Sequence, residues 1–419
     1  MEEVRDTRAE TGPASSGQQA TPMNDAALDV EPRLATALPG LDRVLGGGLV
    51  AGSVVLLGGE PGIGKSTLWL QAARAVAGQS RAVLYATGEE SVSQVRLRGQ
   101  RLGVREEQLW ILAETDVSRI AEEARHRAPA ILIVDSIQAV REPTLSSAAG
   151  TVSQVRESAS VLMRQAKTGG TPVVLIGHVT KDGSLAGPRS LEHLVDTVIT
   201  MEGDRGSSRR ILRASKNRFG AVDELALYEM TGEGLAEVPN PSAALLSERH
   251  KGMPGSAVTA AREGSRCLLV EVQALVGPST PGPPRRVAIG LDAGRLALLL
   301  AVVEGAGLPL ASREVFVSCA GGLEIREPAA DLAVVAALAS CLRGRPLPED
   351  GVFFGEVGLL GEIRRVPAAS SRIKEAASLG FRAVYLPSGN AGEAAPYPEL
   401  EIHATTGVAE FLRKLFPAR

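Results

Sequence analysis

Aromatic side chains are scarce. Two Trp, four Tyr and seven Phe make up 3% of the 419 residues. A protein that grips single strands by stacking bases on rows of rings needs many more, so that class of binder is disfavoured. Cysteine is nearly absent too: Cys267, Cys319 and Cys341 are odd in number and widely spaced. That spacing argues against a disulfide framework and against a zinc ribbon, and it suits a reducing cytosol. No charge-free run of eighteen apolar residues occurs and no signal-peptide core opens the chain, so a cytoplasmic protein without membrane contact is expected. Neither sign of charge dominates. The formal net charge is −3, so any contact with nucleic acid must be local rather than the work of a global basic field.

What is present is a soluble globular profile, 44% hydrophobic and 22% charged, on a chain too long for one ordinary core. Residues 1–33 are rich in Glu, Thr, Ser, Gln, Ala and Pro and hold no aromatic residue. They bury too little to repay ordering and read as a disordered tail. From residue 34 to 240 apolar runs alternate with helical spacing. "SVVLLGG" (53–59), "RAVLYAT" (81–87), "AILIVDS" (130–136) and "TPVVLIGH" (171–178) read as buried parallel strands. "KSTLWLQAARAVAG" (65–78) reads as a helix stopped by glycine. Segments 195–202, 209–215 and 224–230 read as strands finishing the sheet. This alternation predicts an α/β domain with a mostly parallel sheet. Residues 241–254, rich in charge, Pro and Gly, read as a linker, and 255–419 as a second domain. There, strands are expected at 267–276, 285–291, 314–325 and 352–358, and helices at 295–306, 328–342, 368–380 and 407–416.

The chemistry starts at Gly59-Glu60-Pro61-Gly62-Ile63-Gly64-Lys65-Ser66-Thr67. Gly-x4-Gly-Lys-Ser between a buried strand and a helix is a phosphate cradle. Its backbone N–H groups face the phosphates, Lys65 adds a point charge, and the Ser66 hydroxyl is suited to Mg²⁺. ATP with Mg²⁺ is the expected ligand pair. Asp135, closing "ILIVD", suits either the Mg²⁺ shell or a helix N-cap. Glu89 and Glu90 in "ATGEES" suit polarisation of an attacking water, or capping of the helix that follows. His178 suits either a γ-phosphate sensor or a hydrogen bond within the loop edge. On this reading Lys65 is the only cation beside the phosphates. "SKNRFG" (215–220) holds two more cations, Lys216 and Arg218, which strand alternation would point to one face with Asn217 on the other. They read either as solvated charge at a strand end or as groups acting on an anion.

Taken together, "GEPGIGKSTL", "YATGEES", "LIVDSIQ", "GTVSQVRESA", "GHVTKDGSLAGPRSLEHLVDTV" and "KNRFG" resemble the bacterial RadA (Sms) family of DNA repair and recombination ATPases, from about residue 34 to near the C-terminus. The resemblance implies a RecA-like P-loop core, a homo-hexameric ring, ATP-driven movement on single-stranded and branched DNA, promotion of branch migration, and a RecA-type recombinase as partner. It implies that Glu89 activates water, that His178 senses the γ-phosphate, and that loops 141–150 and 179–189 face a central channel, with Lys181 and Arg189 as DNA contacts. By analogy with RecA-like rings it implies that Lys216 and Arg218 act on a neighbouring subunit's nucleotide. The family's N-terminal four-cysteine zinc element has no counterpart before Cys267, so no zinc is expected.

Residues 255–419 resemble the proteolytic domain of Lon protease, an α/β fold of the ribosomal S5 domain 2 type. The serine and lysine of that protease's dyad fall at Ala329 and Ser370, and Lys374 lacks a serine to activate. Peptide hydrolysis by that route is therefore not expected, and the domain reads as a scaffold. Arg285, Arg286, Arg364, Arg365 and Arg372 suit either added DNA contact or an ordinary solvated face. A nucleotide-switched DNA-binding scaffold without sustained motor activity is the competing function.

Overall fold

A computed structural model describes residues 33–178, 191–203, 208–222, 224–279 and 282–417. The expected tail thus falls almost wholly outside the described residues, as do Lys181 and Arg189. No helix among the described residues is long and apolar enough to cross a membrane.

In chain order the first half runs α1 (Pro39–Val44), β1 (Val54–Gly59), α2 (Lys65–Ala77), β2 (Val83–Thr87), α3 (Val92–Arg101), β3 (Leu109–Ala113), α4 (Val117–Arg127), β4 (Ile131–Asp135), α5 (Val152–Gly169), β5 (Val173–His178), β6 (Thr197–Glu202), β7 (Arg209–Asn217), β8 (Leu225–Thr231) and β9 (Gly234–Glu237). These nine strands form one sheet in the order β3-β2-β4-β5-β1-β6-β7-β8-β9. The run from β3 to β6 is parallel, and β7, β8 and β9 extend it antiparallel. Alternation along β1 sends Val55 and Leu57 into a core with α1, α2 and α3, and Val54 and Leu56 into a core with α4 and α5. Both faces are covered, so the parallel strands are apolar throughout. Strand β3, "LWILA", escapes the sequence pattern because it is the sheet edge and its residues are half exposed.

The second half runs α6 (Pro241–Leu246), β10 (Ser256–Glu263), β11 (Arg266–Ser279), β12 (Arg286–Ile289), α7 (Ala293–Gly305), β13 (Arg313–Cys319), α8 (Asp331–Arg343), β14 (Gly351–Phe353), β15 (Glu356–Val357), β16 (Ile363–Arg364), α9 (Ala369–Ser378), β17 (Ala383–Pro387), β18 (Glu401–Thr405) and α10 (Val408–Leu415). A mixed seven-stranded sheet, β12-β13-β11-β10-β14-β17-β18, carries α7 and α8 on one face and α9 on the other. The small residues of α8 make this close packing possible: its positions from Asp331 to Ser340 are all buried.

The stretch expected to be a linker is partly helical and docked. Ser242 in α6 accepts a hydrogen bond from Leu269 N (3.0 Å) and donates one to Glu375 (2.6 Å). Leu245 joins Ile211, Leu225 and Leu227 of the first sheet in the core of the second half. The apolar side chains within a polar-looking sequence decide this.

Arg372 departs from its expected surface position. It is fully buried. Its guanidinium donates to both carboxylate oxygens of Glu327 (2.6 Å each) and to the carbonyls of Pro367 (3.1 Å) and Ala260. It is a structural ion pair and not a DNA contact. Arg285, Arg364 and Arg365 are exposed but paired with Glu314, Glu362 and Glu393. Glu327→Gln strips the charge that compensates the buried guanidinium. Chemical denaturation should show a loss of about 3 kcal/mol, as for other broken buried pairs. Substitution of the exposed Arg326 should change stability little.

Candidate functional site

The parallel register brings four strand ends to one edge. Gly59 lies beside His178, Thr87 beside Asp135, and Asp135 beside Ile176. Ligands of open α/β sheets bind at these carboxyl ends. The loop from Gly59 leads into α2, whose N-cap Gly64 has φ 118°, a conformation that excludes side chains. A Cβ at Gly64 would also lie 2.8 Å from Met230 Cε. The resulting cleft, of about 260 Å³, is lined by Gly62, Gly64, Lys65, Ser66, Thr67, Glu89, Asp135 and His178.

Lys65 is 3% exposed. Its ammonium group has three protons and three acceptors: Gly59 O (2.8 Å), Glu60 O (2.9 Å) and His178 Nδ1 (3.1 Å). Burial pulls its pKa down to about 8, opposed by the charges of Asp135 and Glu89. Because Nδ1 of His178 accepts, its proton sits on Nε2, which faces Glu89 Oε1 at 3.5 Å. Ser136 Oγ donates to the same carboxylate oxygen. These bonds, that from His178 first, hold Glu89 down at about pKa 2. With its donors in place Glu89 is ionised but a weak proton acceptor.

Asp135 accepts from the Tyr85 hydroxyl at 2.5 Å, and Tyr85 also bonds Ser66. Burial, together with Asp135, raises the Tyr85 pKa well above its ordinary value. No helix starts at Asp135, so the N-cap alternative is not realised there. Nor do the glutamates cap α3: Ser91 does, in a reciprocal box with Gln94. Glu90 instead pairs with Arg98 of α3.

Three features lay beyond the sequence reading. Arg98 and Arg101 line the cleft with Lys65, so Lys65 is not its only cation. Their i, i+3 spacing placed both on one helix face, but nothing in the sequence said which way that face looked. Tyr85 shares a face of β2 with Thr87, a period-two signal that was available.

Lys216 and Arg218 do not join this site. Strand β7 runs antiparallel to β6, which puts Lys216 beside Val198 near the other end of the sheet, roughly 10 Å short of Gly59 along the strand direction and two strands across. The Lys216 ammonium donates to the carbonyls of Glu192 (2.6 Å) and Val195 (2.9 Å). Arg218 pairs with Asp196 (3.1 Å), whose other oxygen accepts from Val54 N (3.0 Å). The expected alternation is also interrupted. The pairing shifts register near Ser215, and Asn217 accepts from Phe219 N (3.0 Å), turning the chain so that Arg218 leaves the strand. Loop 141–150 is held by Gln154, which bonds Glu142, Leu145 and Ser147. In the second half Ala329 is buried, Ser370 donates to Glu393 (3.0 Å), and Lys374 is exposed.

An AAA domain family model matches residues 20–184. The DNA repair protein RadA of Pseudomonas aeruginosa is 50% identical over 98% of this chain and 92% of that protein. The Bacillus subtilis protein of the same name is 48% identical over 94% and 87%, and that of Escherichia coli 50% over 89% and 81%. Among solved structures, the RadB recombinase gives a TM-score of 0.39 at 20% identity, covering 49% of this chain and 99% of that one, a likeness too slight to argue from.

Two outcomes follow from the cleft. Lys65 serves a polyanion only when protonated, and in the free protein it loses its proton near pH 8. ATP affinity should therefore be flat below that pH and fall about tenfold per pH unit above it, as equilibrium titration would measure. Ser66 and Asp135 would hold Mg²⁺, and Tyr85 orients both. Tyr85→Phe should leave metal-free nucleotide affinity unchanged and raise the Mg²⁺ concentration for half-maximal nucleotide binding about 10-fold, read from a fluorescent ATP analogue.

Proposed function

The chain belongs to the bacterial RadA family of DNA repair proteins, and from that premise we propose that this ATP hydrolase works as a DNA-stimulated ring, a homo-hexamer that moves on single-stranded DNA and promotes branch migration of recombination intermediates. The observation that carries the reading is the Lys65–His178–Glu89 chain. In the nucleotide-free protein His178 is spent on Lys65 and Glu89 together. A γ-phosphate competes for Lys65 and for His178, and the bond it takes from His178 Nε2 releases Glu89 from one of its two donors. The freed carboxylate then accepts the proton of a water as the water oxygen attacks the γ-phosphorus. The bond from phosphorus to the bridging oxygen breaks, and ADP and phosphate leave. Mg²⁺, when bound, neutralises charge on the phosphate oxygens. Arg98 and Arg101 add positive potential from the same subunit.

Arg218 is half exposed and too far from its own cleft to serve it, so its role on ATP is in trans, at a neighbour's site. Lys216, seated on two carbonyls, positions that segment. Contact with DNA is assigned to the loops at 141–150 and 179–189, including Lys181 and Arg189 on sequence grounds, as sequence-independent phosphate binding. A RecA-type recombinase is the proposed partner. The second half acts as a scaffold, since Ala329 supplies no nucleophile.

ATP turnover with and without single-stranded DNA tests the motor reading. Glu89→Gln should keep ATP binding and lower turnover by about 10² or more. Arg218→Ala should keep both ATP binding and thermal stability while losing most hydrolysis. Turnover indifferent to DNA, with no displacement on forked substrates, would favour the nucleotide-switched scaffold instead.

A further inference from the structure

The hairpin formed by β15 and β16 ends in Gly358-Leu359-Leu360-Gly361, and its tip carries two leucines turned to solvent. Leu359 is 69% exposed and Leu360 96%. The tip is rigidly built. Gly358 N donates to Glu362 O (2.9 Å), Gly361 N to Gly358 O (3.0 Å), and Leu360 N to the Glu362 carboxylate (3.1 Å). Gly361 has φ 81°, a conformation that requires glycine, and the Glu362 carboxylate packs against Gly358. At its root, Val357 N donates to Asp331 (2.9 Å) and Val357 O accepts from Arg295 (2.9 Å). A preorganised apolar knob of this kind has little conformational entropy left to lose on docking.

The complementary shape is on the other side of the same sheet. Alternation along β11 sends Val270, Val272 and Ala274 to the α7 and α8 layer, and Leu269, Glu271, Gln273 and Leu275 to the opposite face. α9 covers that face over β10, β14, β17 and the Leu269 part of β11. Over the Leu275 part of β11 and over β13 and β12 it stays open, with Leu275, Phe316 and Val287 aligned in one cross-strand row and Ile289 in the next. Leu275 is 62% exposed, Ile289 61%, and Met253 at the margin 58%. These residues line a groove of about 350 Å³.

We propose that this groove receives the Leu359–Leu360 knob of a second copy of the chain. Three observations favour that occupant. Two leucine side chains suit the groove's volume. Knob and groove lie on opposite faces of one sheet, so a chain cannot fill its own groove, and copies joined this way associate head to tail, the heterologous contact from which rings close. Charge is complementary as well. Glu356 and Glu362 flank the knob with Arg364 between them, a net single negative charge, while the exposed Lys251 adjoins His250 and Met253 at the groove's margin. Glu271 within the groove is buried and bonded by Ser256 and Gln273. The proposal rests on the ring reading above and locates one of its contacts.

The experiment uses the full chain with a non-hydrolysable ATP analogue. Leu360→Asp and Ile289→Asp should each weaken self-association about 30-fold or more by light scattering, with unchanged thermal midpoints. Mixing a Leu360→Cys protein with an Ile289→Cys protein, both carrying Cys341→Ser, should give a disulfide-linked pair under mild oxidation that neither gives alone, Cys267 and Cys319 being buried. A wild-type multimer whose size neither Asp variant alters, with no mixed disulfide, overturns this interface and leaves the ring reading standing. A wild-type chain that stays monomeric at all concentrations with nucleotide and DNA overturns both.

Discussion

One buried ammonium group organises the nucleotide edge. Lys65 is buried, and its three protons find the loop that carries it and the imidazole at the end of β5. That choice fixes the imidazole tautomer, which in turn commits the other ring nitrogen to Glu89. The phosphate loop, the β5 end and the β2 end are thereby linked through three side chains. On the proposed reading, a phosphate that enters meets groups already pointing at one another and competes for their bonds. Without nucleotide the Glu89 carboxylate is held by two donors and Lys65, with its pKa pulled down to about 8, is mostly protonated at neutral pH.

The same sheet separates two kinds of cation. Lys65, Arg98 and Arg101 stand at the carboxyl end of the parallel strands, and Lys216 and Arg218 stand at the other end because β7 runs antiparallel to β6. A strand direction thus assigns the second pair to something outside its own cleft. The second half is joined to this sheet without a loose tether: α6 bonds to β11 and α9, and Leu225 and Leu227 share its core.

Much of this was legible before any coordinates. The strand–loop–helix context of Gly59 to Thr67 announces a phosphate site because few sequences supply both glycine conformations and a following helix. Four of the parallel strands, the helix at 65–77 and the end of that helix at Gly78 follow from apolar runs and a stop residue. Failures cluster where local pattern and tertiary environment part. The apolar-run pattern misses β3, β9, β10, β16, β17 and β18, and α6 lies hidden in a polar stretch whose few apolar residues are all that its packing needs. Arg372 looked like any helix-surface arginine, since nothing in a one-dimensional pattern reveals that Glu327 lies across from it.

Residue type, spacing and the order of strands and helices determined the class of fold, the phosphate chemistry and the identities of Lys65, Glu89, Asp135 and His178 as a set, because short-range stereochemistry and solvation act on neighbours in the chain. Tertiary structure alone decided which groups meet. It gave Tyr85 to Asp135, Arg98 to Glu90 and Ser136 to Glu89, sent Lys216 and Arg218 to the far edge, and left Leu360 in water. Those pairings depend on register and strand direction across residues tens to hundreds of positions apart, where a side chain's partner is set by the packing of whole layers and not by its own sequence neighbourhood.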